Sequence, residues 1–286
     1  MKNRILLSTG SLYNYGTDRV FEIARRTGFD GVEIIVDRRT DTFQVPYLRS
    51  LIERYGLPIG AVHSPFSFLK LAGWKDGEIP RARRSVRLAE ELGAPVVVLH
   101  GPSFTDRPYL KWLQEELPSL QAATKVIVAV ENMPHYRKPF GRIGARFHWP
   151  NIQDAKRKKA WNFVPSFLLP SCHLLSRPED LLPFRHVVLD VTHLGTGGYD
   201  PARVYDLLGE RVAHVHLSNF DGQEHRELRK GEVEIAGFLR HLTAKGYAGD
   251  IALEISPGSF ASEDESATVE TLAANLAIIH DNLGRS

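Results

Sequence analysis

Six apolar runs in this sequence end on a group that can hold a proton or a metal: His63 (AVHSPF), His100 (VVLHGP), Glu131 (VAVENMP), Asp190 (VVLDVTH), His216 (AHVHLSN) and Glu254 (IALEIS). Side chains alternate along a strand, so residues two apart share a face. Val96 and Val98 then fall in one row with His100, Val188 with Asp190, and Ala252 with Glu254. Small or branched residues leading to a polar end are what inward-facing barrel positions look like. Carboxylates gathered this closely repel and raise one another's pKa unless a cation sits among them. Glu131, Asp190, His216 and Glu254 therefore read as an oxygen and nitrogen ligand set for a divalent metal, zinc, manganese or cobalt rather than magnesium. A single histidine at a strand end is ordinarily a hydrogen-bonded structural residue. Four buried ionisable groups at matching depths are rare unless paired or metal-bound. His63 and His100, on adjacent strands beside Glu131, could hold a second metal bridged through that carboxylate. His193, three residues after Asp190, and His225, nine after His216, lie on the loops above, and His214 reads as a core residue or a support for His216.

These groups need strands to carry them. Eight apolar runs bounded by turn residues recur along the chain: Arg4 to Ser8, Gly31 to Val36, Ile59 to Ser64, Pro95 to His100, Val126 to Asn132, His186 to Val191, Val212 to Ser218 and Asp250 to Ser256. Their near-continuous Val, Ile and Leu content suits strands buried on both faces of a parallel sheet. Helical periodicity lies between most of them. One helix is expected from a Thr17 cap to Gly28. Others run from Pro46 to Tyr55, Pro80 to Leu92, Pro201 to Leu208, Ile235 to Lys245 and about Glu263 to Leu283, most ending at a glycine suited to a left-handed C-cap. Eight strands alternating with helices predict an α/β fold, a (β/α)8 TIM barrel.

One interval breaks the rhythm. Residues 133–185 far exceed the need of one connection and are rich in proline, so a single domain over 1–286 is expected to carry an insertion after strand 5, at about 134–178. It would emerge at the C-terminal face, where barrel enzymes keep their active sites. Trp149 and Trp161 on it could stack on a sugar ring, with Phe163 beside them. The run Lys156, Arg157, Lys158, Lys159 could attract an anion but reads first as a solvated loop.

Composition excludes several classes. Thirty-six basic against 34 acidic residues leave a net charge of +2, which gives no general pull toward a polyanion. Arg81, Arg83, Arg84 and Arg87 read as an exposed charged helix face, so nucleic acid is not the expected partner. The lone Cys172 cannot form an internal disulfide, and no signal-like or membrane-spanning stretch is apparent, so a cytoplasmic location is expected. No phosphate loop, dinucleotide fingerprint or serine nucleophile elbow occurs. Self-association stays open.

With these residues in place, the sequence resembles the xylose-isomerase-like TIM-barrel superfamily of sugar and sugar phosphate isomerases and epimerases, inosose dehydratases and endonuclease IV. The resemblance spans the chain outside the insert. Glu131, Asp190, His216 and Glu254 match the single-metal quartet of the epimerase-like members, and HLSNFDGQEH…GEV…FLRHLTAKGYAGDIALEIS is similar to their C-terminal half. The resemblance implies a metal-dependent isomerase or epimerase of a polyhydroxy carbonyl compound. Its metal would act as a Lewis acid toward an enediolate, with Glu131 and Glu254 exchanging protons on opposite faces. His193 and His225 would contact substrate oxygens. Endonuclease IV implies a second reading, a zinc phosphodiesterase acting on phosphate esters or abasic DNA, with His63, His100, His193 and His225 as added ligands. There the Asp-Arg-His triplet of the third zinc site is replaced by Gln223, Glu224, His225, unless Asp221 substitutes. A third reading, of another class, is a silent sugar-binding barrel.

Overall fold

The computed structural model describes residues 3–66, 68–135, 173–260 and 264–285. Eight parallel strands close into one barrel in sequence order: β1 (Ile5–Ser8), β2 (Gly31–Ile35), β3 (Ile59–His63), β4 (Val96–Leu99), β5 (Ile127–Glu131), β6 (Val187–Asp190), β7 (Val212–Leu217) and β8 (Asp250–Leu253), with β1 pairing β8. Each lies within its expected run. The barrel's inside is narrow, packed by Ala61, Val96, Val98, Ala129 and Val188, while the larger core lies between strands and helices. Small interior side chains leave room for polar groups. Among the described residues, no helix is long and apolar enough to cross a membrane.

Nine α-helices are described: α1 (Thr17–Thr27), α2 (Val45–Tyr55), α3 (Glu78–Leu92), α4 (Arg107–Glu115), α5 (Leu117–Ala122), α6 (Val191–Gly197), α7 (Pro201–Leu208), α8 (Ile235–Ala244) and α9 (Glu265–Leu283). Thr17 does not cap α1. Gly16 holds the cap position, and the Thr17 backbone N–H donates to Asp41 Oδ2 at 3.2 Å, so a neighbouring loop supplies the acceptor. Gly28 ends the helix at φ 96°, as its lack of a Cβ permits. Helices α4 and α5 have no counterpart in the sequence expectation. Asp106 caps α4 by accepting from Tyr109 N, and Pro118 opens α5, splitting the periodicity into two short pieces.

The arginine face of α3 needs one correction. Arg81 is buried, at 2% exposure, while Arg83 and Arg87 are exposed. The Arg81 guanidinium donates to Phe66 O at 2.6 Å and to Leu69 O, tying the loop after β3 to the helix. Arg81→Met would leave Leu69 O without its donor and remove one of two donors from Phe66 O, which keeps the Leu69 N–H at 3.1 Å, an expected cost of about 2–4 kcal/mol. A thermal melt should fall by roughly 5–15 °C, and an unchanged midpoint would show that these bonds add nothing.

The expected insert falls mostly on residues 136–172. Trp149, Trp161, Phe163, the basic run at 156–159 and Cys172 therefore lie outside the described residues.

Candidate metal centre

The quartet meets at the His216 ring. His216 Nδ1 lies 2.9 Å from Glu131 Oε1, 3.0 Å from Glu254 Oε2 and 3.7 Å from Asp190 Oδ2. One ligand atom from each of the four residues lies within 4.8 Å of the others. Register explains part of this: Asp190 and His216 are paired across β6 and β7, so their side chains start at one level. Glu131 Oε2 and Asp190 Oδ2 are buried and accept no hydrogen bond from the described residues. Leaving such atoms unmatched is costly, and three carboxylates with one imidazole fit a divalent cation.

The electrostatics run the same way. Burial opposes the charge on Glu131 and on Glu254, but the facing His216 together with the neighbouring histidines outweighs it, holding Glu131 well below the usual carboxylate range and Glu254 at about 2. Burial likewise opposes a charged His216, yet Glu33, Glu254 and Glu131 raise it well above an ordinary imidazole. A proton on Nδ1 thus occupies the position where a metal would be held.

A short helix sets the D-x-x-H spacing. Asp190 ends β6 and also caps α6, its Oδ1 accepting from His193 N at 2.9 Å, which brings His193 back over the quartet. The Asn132 side-chain amide joins β5 to β6 through Asp190 O and Asp190 N, and the Asn132 backbone carbonyl accepts from His193 Nδ1 at 2.8 Å. Nε2 is the His193 atom left for a ligand. Burial lowers this imidazole, but Asp190, Glu131 and Glu224 together raise it to about 9.

His63 and His100 form a second group with Glu131. Their Nε2 atoms lie 3.6 and 3.5 Å from Glu131 Oε2, the oxygen turned away from His216 Nδ1. His63 Nδ1 donates to Ser64 O at 2.9 Å, so in the neutral ring a lone pair faces the carboxylate. Burial, with His63 alongside, pushes His100 down to about 3. Asp190, His193 and His225 make a third group. His225 takes a left-handed backbone, φ 56°, and is held by Thr192 Oγ1 on its N–H and by Glu254 O at its Nδ1. Asp221 does not join it: this exposed carboxylate accepts from Arg226 Nε at 2.9 Å and from Gln223 N at 3.1 Å.

Glu33 and His214 lie one layer below the quartet. Glu33 on β2 is fully buried, and its Oε2 accepts from His214 Nε2 at 2.9 Å and His216 Nε2 at 3.2 Å. Sequence reasoning passed over Glu33 because it sits mid-strand rather than at a strand end. The signal was there, a lone acid in the apolar run GVEII on the inward row with Gly31 and Ile35.

The family model described as xylose isomerase-like TIM barrel matches residues 21–167. An uncharacterized protein of Mycobacterium tuberculosis (strain ATCC 25618 / H37Rv) is 33% identical over 276 residues, covering 94% of this chain and 95% of that one. A D-tagatose 3-epimerase-like protein superposes with TM-score 0.65 at 21% identity, covering 98% of this chain and 99% of the other. An AP endonuclease, family 2, from Brucella melitensis superposes with TM-score 0.63 at 15% identity, covering 89% and 93%. At these identities the two solved structures speak to the fold.

Proposed function

The chain belongs to the xylose isomerase-like TIM-barrel family, and from that premise we propose that it is a divalent-metal-dependent isomerase or epimerase of a sugar, sugar phosphate or cyclitol. One observation carries the reading: two glutamates, Glu131 and Glu254, flank His216 Nδ1 at 2.9 and 3.0 Å, with Asp190 beside them. Glu131, Asp190, His216 and Glu254 would hold the metal, zinc, manganese or cobalt. When bound, the cation supplies Lewis-acid polarisation of adjacent substrate oxygens.

The chain's own residues do the rest. One glutamate of the pair, as the carboxylate, would take the proton from a carbon held between them, and the other, carrying a proton, would deliver it to the opposite face, so that the pair ends with its proton exchanged and regains its starting state through solvent. Glu254, with 15% of its side chain exposed, lies nearer solvent than Glu131 at 2%. His193 and His225 are placed to bind substrate hydroxyls through their Nε2 atoms, the Nδ1 of each being committed to a backbone carbonyl. The reading is supported by the likeness in fold to a D-tagatose 3-epimerase-like protein, a D-allulose 3-epimerase and an L-ribulose 3-epimerase.

A specific observation favours a second reading. Glu131 divides its oxygens between His216 and the His63 and His100 pair, which suits a carboxylate bridging two metals in a zinc phosphodiesterase like endonuclease IV. Metal counting separates the two. Metal-stripped protein resupplied with Mn or Co is expected to gain turnover on a ketose or inosose and to hold one ion per chain by elemental analysis. Two or three ions with cleavage of a phosphodiester would favour hydrolysis, and no response from any metal or sugar would sink the leading reading.

A further inference from the structure

A strand that carries no ligand of the quartet reaches it from below, through Glu33 and the far nitrogen of the His216 ring. We propose that Glu33 on β2 is a positioning residue, fixing the His216 ring with Nε2–H toward the barrel's interior and Nδ1 toward Glu131, Asp190 and Glu254. This rests on the metal reading above and adds a fifth residue to the site, one that reaches the cation only through His216.

An ionised carboxylate accepts hydrogen bonds and donates none. Both ring nitrogens that face Glu33 Oε2, His214 Nε2 at 2.9 Å and His216 Nε2 at 3.2 Å, must therefore carry hydrogen. Once Nε2 of His216 is a donor, Nδ1 is the only ring atom able to ligate, and it is the atom that faces the three carboxylates. Packing holds the ring plane as well. His63 stacks on His216 with centroids 5.5 Å apart, and His214 meets it edge-on at 5.3 Å. His214 has a distinct part, the second donor to a carboxylate that is otherwise sealed from water, since Glu33 is 0% exposed. Without Glu33 nothing fixes the orientation of the neutral ring, which is then free to keep its single hydrogen on Nδ1 and turn its lone pair away from the three carboxylates. Such supporting carboxylates behind a ligating histidine typically change metal affinity by about 10–100-fold.

Calorimetric titration of Zn2+ into wild type, Glu33→Leu and Glu33→Gln tests the assignment, with circular dichroism confirming that each variant is folded. Glu33→Leu is expected to bind about 10–100-fold more weakly. Glu33→Gln should lose less, because its amide oxygen can still accept from Nε2–H. Nitrogen-15 NMR of the Zn2+-loaded wild type should find the His216 proton on Nε2, a measurement that does not depend on either variant folding. Affinities within twofold of wild type for the folded variants, or His216 bound through Nε2, would overturn the role of Glu33 while leaving the metal reading intact. A wild type that takes up no divalent ion overturns both.

Discussion

Glu254→Gln is expected to lose net epimerisation by about 10²–10⁴-fold, the usual range for removing a general acid–base group. The substitution keeps the shape of the side chain and an oxygen able to approach a cation, but an amide does not take up a proton at neutral pH. What remains is informative. Glu131 is intact in this variant, buried with its Oε1 2.9 Å from His216 Nδ1. One epimer should therefore still exchange its carbon-bound hydrogen with solvent deuterium, while the other should not. Glu131→Gln should show the reverse preference. Mass spectrometry of recovered substrate reads this directly, with kcat and KM measured alongside. Turnover within tenfold of wild type, or exchange from both epimers in both variants, would remove the two glutamates from proton transfer. A barrel that merely binds sugar would show no turnover to lose and no exchange in any form of the protein.

The quartet was legible in the sequence because each member ends a strand. Strand ends are marked twice, by the switch from apolar to polar residues and by the turn residues that follow, so the alternation rule places side chains at one depth without any knowledge of neighbours. Glu33 and Arg81 were not legible in that way. Glu33 Oε2 accepts from two histidines of β7, 181 and 183 residues away in the chain, and no local pattern records that pairing. Arg81 looked like one of four arginines on an exposed face, and only the path of the loop after β3 decides that its guanidinium turns inward to Phe66 and Leu69. Helix α6 was hidden for a different reason. Its sequence, VTHLGTG, has poor helical propensity, and it forms because Asp190 caps it at the barrel rim. The D-x-x-H spacing was visible. The cap that gives this spacing its geometry was not.

Mn2+ at about 100 times its Kd should stabilise the protein by about 2.7 kcal/mol, since an ion that binds only the folded state adds its binding energy to unfolding. For a chain of this size the thermal midpoint should rise by roughly 5–10 °C. The shift must depend on pH with a definite sign. Burial disfavours a charged His216 in the metal-free protein, but Glu33, Glu254 and Glu131 raise it well above the ordinary imidazole value, so a proton holds Nδ1 through the neutral range. The metal has to displace that proton. Each pH unit of acidification therefore weakens apparent affinity about tenfold, or about 1.4 kcal/mol at fixed Mn2+, and the shift should be larger at pH 8 than at pH 6. Asp190→Asn isolates the cause. Asparagine caps a helix about as well as aspartate, so α6 and His193 should keep their places. The variant removes one negative charge from a cluster whose carboxylates repel, so the metal-free protein should melt no lower than wild type while the Mn2+ shift is largely lost. A variant that keeps the full shift, or a wild-type shift that grows as pH falls, would mean that the ion binds somewhere other than the Glu131, Asp190, His216 and Glu254 set.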